Sequence, residues 1–211
     1  MKTRYEMKKS AVGRWLAALA AGAALVALAP AASATVLTFD DIGADTLMSD
    51  AATKNYGGLD WSGSGWFAFN DVADPYTPHS GDFRLTAPFD VPGPDADAQT
   101  AIRFGTASTF QGAWFSGLTG ATVTFDLFFH GQQVATSATL DPSGTPMFLA
   151  SGYNGLIDEV IVSSAGPGSY TMDDFSFTTT VQAVPEPETY ALMLAGLAAV
   201  GAIARRRKPR A

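Results

Sequence analysis

Residues 35–182 are predicted to form an all-β domain, a single jelly-roll-like β-sandwich. Their apolar runs are short and alternate with polar residues, as where Val123, Phe125 and Leu127 alternate with polar positions such as Thr124. This is the pattern of a strand with one buried face. Glycines and prolines separate the runs along the whole segment, and no stretch repeats apolar residues at the helical period.

The predicted strands follow the apolar runs in chain order. They lie at residues 36–39, 66–69, 101–104, 113–116, 123–129, 132–140, 147–150, 159–163 and 170–178. A turn at Gly131 connects the run at 123–129 to the next one. A second turn follows at 141–144, where proline presets φ and glycine adopts the strained position. We expect eight to ten strands in two packed sheets.

The N-terminus carries an export signal outside this domain. Five basic residues precede an apolar run at 15–28, and the small residues Ala32 and Ala34 flank Ser33. This order is typical of a secretory signal peptide, and we predict that signal peptidase cuts after Ala34. Residues 1–34 are therefore left out of the fold prediction. The chain has no cysteine, so no disulfide stabilises it in an oxidising compartment.

Residues 183–211 have the layout of a processing tail. A proline-containing motif at 185–187 precedes an apolar run at 190–204, and a basic end follows at 205–210. As a helix the run would span about 22 Å, less than the roughly 30 Å hydrocarbon core of a bilayer. This length indicates a short transmembrane helix that holds the chain in the inner membrane only transiently, with a permanent anchor as the alternative. The basic residues would stay on the cytoplasmic side: Arg205, Arg206, Arg207 and Lys208.

The tail resembles PEP-CTERM sorting signals, with Pro185, Glu186 and Pro187 as the motif, which we expect to be extended because of its prolines. Such a tail is also known as an ice-binding protein C-terminal domain, a label that gives no evidence of ice binding here. The resemblance implies that an exosortase, a membrane protease of Gram-negative bacteria, cuts near the motif. It passes the protein on to the cell surface or the extracellular space.

The domain at 35–182 is similar in pattern to extracellular β-sandwiches that precede PEP-CTERM tails, and in outline to carbohydrate-binding jelly rolls. The resemblance rests on the stretches at 37–41, 56–61 and 172–177. It implies a structural or adhesive role in an exopolysaccharide or biofilm matrix. A calcium-dependent carbohydrate-binding module is the alternative, and a glycoside hydrolase is the third possibility.

The domain is strongly acidic. Residues 35–182 hold seventeen acidic and three basic residues, and every acid except Glu159 is an aspartate. Such a surface should repel nucleic acid, which excludes that class of partner, and should attract cations. Solubility and turn formation are the simpler explanation for most of these aspartates.

Two aspartate pairs at opposite ends of the domain suggest a structural calcium site. Asp40 and Asp41 follow the first strand, Asp173 and Asp174 lie in the last, and these strands are commonly neighbours in a jelly roll. By alternation, Asp41 and Asp173 fall on the apolar face, where a carboxylate is costly unless paired or bound to a cation. We predict that Asp40 or Asp41 binds calcium together with Asp173. Capping of turns in solvent is the alternative, and a bulge at the second pair would upset the alternation.

Aromatic residues offer a candidate carbohydrate platform, because aromatic faces pack against the C–H faces of sugar rings. The candidates are Trp61, Trp66, Tyr76 and Trp114. The alternative is that the tryptophans fill the core of the sandwich.

We do not expect an enzyme. His79 and His130 lie in no metal-ligand or triad-like motif, and His79 is interpreted as an exposed loop residue. The sequence contains neither a nucleophile elbow nor a phosphate-binding glycine loop.

Overall fold

The computed structural model describes residues 31–87, 100–166, 168–181 and 187–206. Within these ranges Ala32–Thr180 form one compact unit. The predicted signal peptide lies outside the described residues except for positions 31–34, which belong to the first strand. Pro185, Glu186, Arg207 and Lys208 also lie outside them.

The described part of the chain contains eleven strands, a short 3-10 helix at Tyr56–Gly58 and one α-helix, α1 (Pro187–Arg206). The strands are β1 (Ala31–Leu37), β2 (Thr46–Leu47), β3 (Leu59–Asp60), β4 (Phe67–Phe69), β5 (Arg84–Thr86), β6 (Ile102–Gly117), β7 (Val123–Phe129), β8 (Gln132–Thr136), β9 (Met147–Ala150), β10 (Ile157–Ser164) and β11 (Tyr170–Val181).

The long strand β6 contributes to two layers. Its first part pairs with β3 and β10, with Ile102 opposite Val160. Its second part pairs with β9 and β11, with Gly117 opposite Tyr170. Hydrogen bonding is continuous in the order β2-β4-β5-β11-β6-β10-β7-β8, with β1 pairing with β11, and β3 and β9 with β6. Because β6 changes partners along its length, the first layer is β2-β4-β5-β11-β6-β9 and the second is β3-β6-β10-β7-β8.

The core lies between these two layers. Phe110 and Phe115 of β6 pack against Phe125 of β7, with ring centroids 4.8 and 5.6 Å apart. Phe175 of β11 stacks on Phe110 at 4.6 Å. Side chains of the two inner faces thus interdigitate as in a β-sandwich, and the predicted fold class is confirmed.

Trp61 and Trp66 are core residues, so their prediction as a sugar-binding platform is wrong. Both are completely buried. Trp61 packs edge-on against Phe39 at 6.1 Å, and Trp66 packs edge-on against Tyr170 at 6.1 Å. Each indole N–H donates to a backbone carbonyl. A ring with no exposed surface cannot stack on a polysaccharide.

The predicted strands at 123–129 and 147–150 have the observed bounds. The segments predicted at 101–104 and 113–116 are β-strand apart from Ala101, but both belong to the sixteen-residue strand β6, so their prediction as two separate strands was wrong. The prediction missed β2, β3 and β5, which have only two or three residues each and therefore show little alternation.

The C-terminal segment is helical as predicted, with wider bounds than 190–204, whereas its crossing of a membrane stays a prediction. It begins at Pro187, which was expected to be extended. Proline is favoured at the first helical position because its φ suits the helix and its missing N–H would have no intrahelical partner. Arg205 is exposed near the helix end. Among the described residues, no helix is both long and apolar enough to cross a membrane.

Candidate functional site

The connection between β4 and β5 lies over the outer face of the first layer. Trp114 of β6 and Asp173 of β11 are cross-strand partners. Their neighbours Phe115 and Met172 point into the core and are buried, so Trp114 and Asp173 point outward. Both contact residues of the segment 77–83, which we call the strap.

Asp173 fixes the backbone of the strap. Its Oδ2 accepts hydrogen bonds from the backbone N–H groups of His79 at 2.7 Å and Ser80 at 2.9 Å. Its Oδ1 accepts one from the backbone N–H of Asp174 at 2.7 Å. The residue is only 3% exposed. This burial raises the pKa of Asp173 to about 6, although the backbone donors favour the ionised carboxylate.

Asp174 fixes the side chains of the strap. A bulge interrupts the β11–β6 register here, and Asp174 adopts a left-handed φ of 47°. The bulge allows Phe175 to return to the core. Asp174 Oδ2 lies 2.5 Å from His79 Nδ1, and Oδ1 accepts the Ser80 hydroxyl at 2.8 Å. Because Ser80 donates to Asp174 rather than to His79, these residues do not form a serine–histidine–aspartate relay.

Asp40 holds the other end of the strap. Its Oδ1 accepts the backbone N–H groups of Asp82 at 2.8 Å and Phe83 at 3.0 Å. Gly81, which precedes these two residues, has a φ of 50°, and a Cβ there would overlap the Asp40 carboxylate. Glycine is therefore required for both conformation and space.

Asp41 lies apart from the strap. Its carboxylate accepts the Tyr56 hydroxyl, and burial together with this hydrogen bond raises the pKa of the Tyr56 phenol. The predicted position of Asp41 on the apolar face is wrong, since the residue is exposed. The alternation ends at Phe39, which is buried with a φ of 63°.

One strap thus meets Asp40 of the first predicted pair and both aspartates of the second, with backbone amides, a hydroxyl and the His79 ring as their partners. Both oxygens of Asp173 and one of Asp40 accept N–H groups, a donor set that does not fit a calcium site. No three His, Asp or Glu side chains of the described residues are grouped so that they could hold a metal ion. Calcium binding by Asp40, Asp41 and Asp173 stays a prediction.

Arg84, which the sequence analysis missed, is buried where the strap enters β5, with 2% of its surface exposed. Its guanidinium lies 4.1 Å from the Phe69 ring centroid and donates to the backbone carbonyls of Asp71 and Asp82. Burial lowers the pKa of Arg84, whereas the charge of Asp173 opposes that change. The sequence signal that could have identified Arg84 is its charge, because it is one of three basic residues in an acidic domain.

The aromatic patch consists of Trp114, His79 and Phe148. The His79 ring stacks on Trp114, with centroids 3.5 Å apart and planes 12° from parallel. Phe148 of β9 lies 5.6 Å from Trp114 and is 42% exposed. Beside the patch is a shallow depression whose lining includes Thr77, Ser116, Pro146, Thr171 and Asp173.

Of the four predicted sugar-binding aromatics, Trp114 alone lies in this patch. It is half-buried. Tyr76 is half-buried in the same β4–β5 connection, and no ring contact links it to Trp114 in the described chain. Asp173 and Asp174 both hold the strap, so they are not presented to a cleft as the carboxylate pair of a glycoside hydrolase would be.

Comparison with known proteins identifies the tail. Residues 183–208 match the family model of the PEP-CTERM protein-sorting motif, which confirms the predicted resemblance. The matched segment includes Pro185, Glu186, Pro187 and the basic residues 205–208. No curated protein matches the chain.

Similar solved structures are carbohydrate-binding modules of family 29. A CBM29-2 variant is 11% identical, covering 72% of this chain and 94% of its own, with a TM-score of 0.37. A CBM29-2 variant complexed with mannohexaose is 14% identical, with coverages of 72% and 95% and a TM-score of 0.35. Another family 29 module is 13% identical, with coverages of 72% and 90% and a TM-score of 0.35. Similarity at this level carries no argument about function.

Proposed function

We propose that an exosortase sorts and processes this exported protein, and that its sandwich serves as a structural or adhesive component of an exopolysaccharide or biofilm matrix. The observation that carries the proposal is the PEP-CTERM motif at residues 183–208. The acidic, cysteine-free composition suits a soluble extracellular domain that needs no disulfide.

In this proposal signal peptidase removes the N-terminal signal, and the tail holds the chain transiently at the inner membrane. The basic end of the tail begins inside the last turn of helix α1, where Arg205 is exposed. Such residues favour the cytoplasmic side of a membrane. Exosortase cleavage near Pro185–Pro187 then releases the sandwich to the cell surface or the extracellular space.

Replacing Pro185, Glu186 and Pro187 with alanine tests the sorting step. We expect uncut protein to accumulate in the inner-membrane fraction, detected by immunoblot of cell fractions. The matched control is Val184→Ala, which changes the same segment but leaves the motif intact and should be released normally. Normal release of the triple variant would refute the role of the motif.

Carbohydrate binding by the aromatic patch is the second candidate function. Its specific observation is the Phe148 ring, 42% exposed and 5.6 Å from Trp114, because apolar patches at a surface can mark interaction sites. The two rings could stack on sugar C–H faces. The acidic charge of the domain favours a neutral or cationic glycan over a polyanionic one.

Two substitutions test this second function. In affinity electrophoresis with exopolysaccharide from the producing cells, Trp114→Ala and Phe148→Ala should each weaken binding by about threefold to tenfold, the usual contribution of an aromatic contact. Leu156→Ala is the control, because Leu156 is equally exposed at 42% but lies outside the patch. Unchanged binding in both patch variants would exclude the patch. Repeating the assay in EDTA tests the calcium-dependent alternative.

A further inference from the structure

The stacking of His79 on Trp114 places a side chain of this protein where a flat ligand would bind. The two rings are nearly parallel and 3.5 Å apart, so nothing fits between them. The indole surface under His79 is thus covered by the strap.

Two independent sets of hydrogen bonds hold this arrangement. Asp173 binds the strap backbone at His79 and Ser80, whereas Asp174 binds the His79 ring and the Ser80 hydroxyl. The imidazole could therefore rotate away from Trp114 while the backbone N–H bonds to Asp173 remain. The His79 side chain is 33% exposed, so it can rotate into solvent.

We propose that His79 is a built-in competitor for the stacking face of Trp114, so that a sugar ring binding there must first displace the imidazole. The inference rests on the carbohydrate-binding function proposed above and adds a regulation of that site. The strap keeps the apolar indole face out of water until a glycan replaces His79. The free energy of sugar binding is then the free energy of the sugar–indole contact minus the free energy of the contacts that His79 loses.

Acrylamide quenching of tryptophan fluorescence measures whether His79 covers Trp114. The full chain carries four tryptophans, of which Trp61 and Trp66 are completely buried. A Trp15→Phe background, purified in mild detergent, leaves Trp114 as the indole that quencher can reach. A further Trp114→Phe variant gives the residual signal.

Three substitutions separate the ring from its hydrogen bond. His79→Ala removes both, His79→Gln keeps a donor toward Asp174 without the ring, and His79→Phe keeps a stacking ring without the donor. We expect quenching to rise in the alanine and glutamine variants and to remain low in the phenylalanine variant. Equal quenching in all four proteins would overturn the proposal.

Affinity for exopolysaccharide from the producing cells completes the test. Removing the competitor should strengthen binding by about threefold to tenfold in His79→Ala, the size of one stacking contact. Weaker binding in that variant would overturn the proposal, since His79 would then be a ligand contact. Increased quenching with no binding by any variant would support the covering role of His79 and refute the carbohydrate-binding function.

Discussion

Asp173→Asn should change how the stability of the sandwich depends on pH. The wild-type carboxylate is 3% exposed, and burial raises its pKa from 3.8 in the unfolded chain to about 6 in the folded protein. Between these values the folded state binds more protons than the unfolded state. The free energy of unfolding therefore falls as pH rises from about 4 to about 6, and this contribution is constant above that range.

The magnitude follows from the two pKa values. Each pKa unit corresponds to about 1.4 kcal/mol, so the contribution of Asp173 changes by about 3 kcal/mol across this window. Asparagine does not titrate, but its NH₂ group faces one of the three backbone donors that the carboxylate accepts. That mismatch costs about 1–3 kcal/mol. The variant should therefore be about 1–3 kcal/mol less stable than the wild type near pH 4, and equal to it or up to about 2 kcal/mol more stable at pH 7.

Urea unfolding at half-unit pH steps from 4 to 8 measures the difference between wild type and Asp173→Asn. Subtracting the two free energies of unfolding cancels the pH dependence that all other carboxylates contribute equally to both proteins. Asp173→Ala is the second variant, and its difference curve should have the same shape with a larger constant offset. A difference that does not vary with pH would refute the reasoning, because Asp173 would then be ionised in the folded protein throughout the range.

Three other predictions concern the strap, calcium and the tail. Gly81→Ala should cost about 2–4 kcal/mol in urea unfolding, because a methyl group there displaces Asp40 and its two backbone hydrogen bonds. The control Gly131→Ala, with a φ of 72° and open space, should cost only about 1 kcal/mol, and equal costs would contradict the account. The calcium hypothesis predicts a melting temperature that falls in EDTA and recovers with calcium, so an unchanged value would reject it. Neutral residues at 205–208 should weaken membrane retention of the uncut chain, and unchanged fractionation and topology would count against that role.

The sandwich could be predicted from sequence because its long strands carry a regular alternation. Strand β7 has this pattern over its whole length, and its predicted bounds were correct. The two- and three-residue strands are too short to show a period. They form because neighbouring strands offer hydrogen-bonding partners, which is tertiary information.

The candidate site could be predicted only in part. Asp173 and Asp174 were identified, and the buried state of Asp173 was expected from its apolar neighbours. Its partner His79 is 94 positions away along the chain, a distance over which no local pattern acts. His79 does lie exposed in a loop, as predicted, but its stacking on Trp114 could not be predicted. The metal hypothesis did not anticipate the backbone N–H groups, which every loop residue except proline can supply.

The most direct test of the central claim is co-sedimentation of the released protein with exopolysaccharide purified from the producing cells. The account predicts that the wild-type protein sediments with the polysaccharide and that Trp114→Ala and Phe148→Ala leave more protein in the supernatant. Wild-type protein that remains in solution at every polysaccharide concentration would contradict a role in the matrix through direct glycan contact.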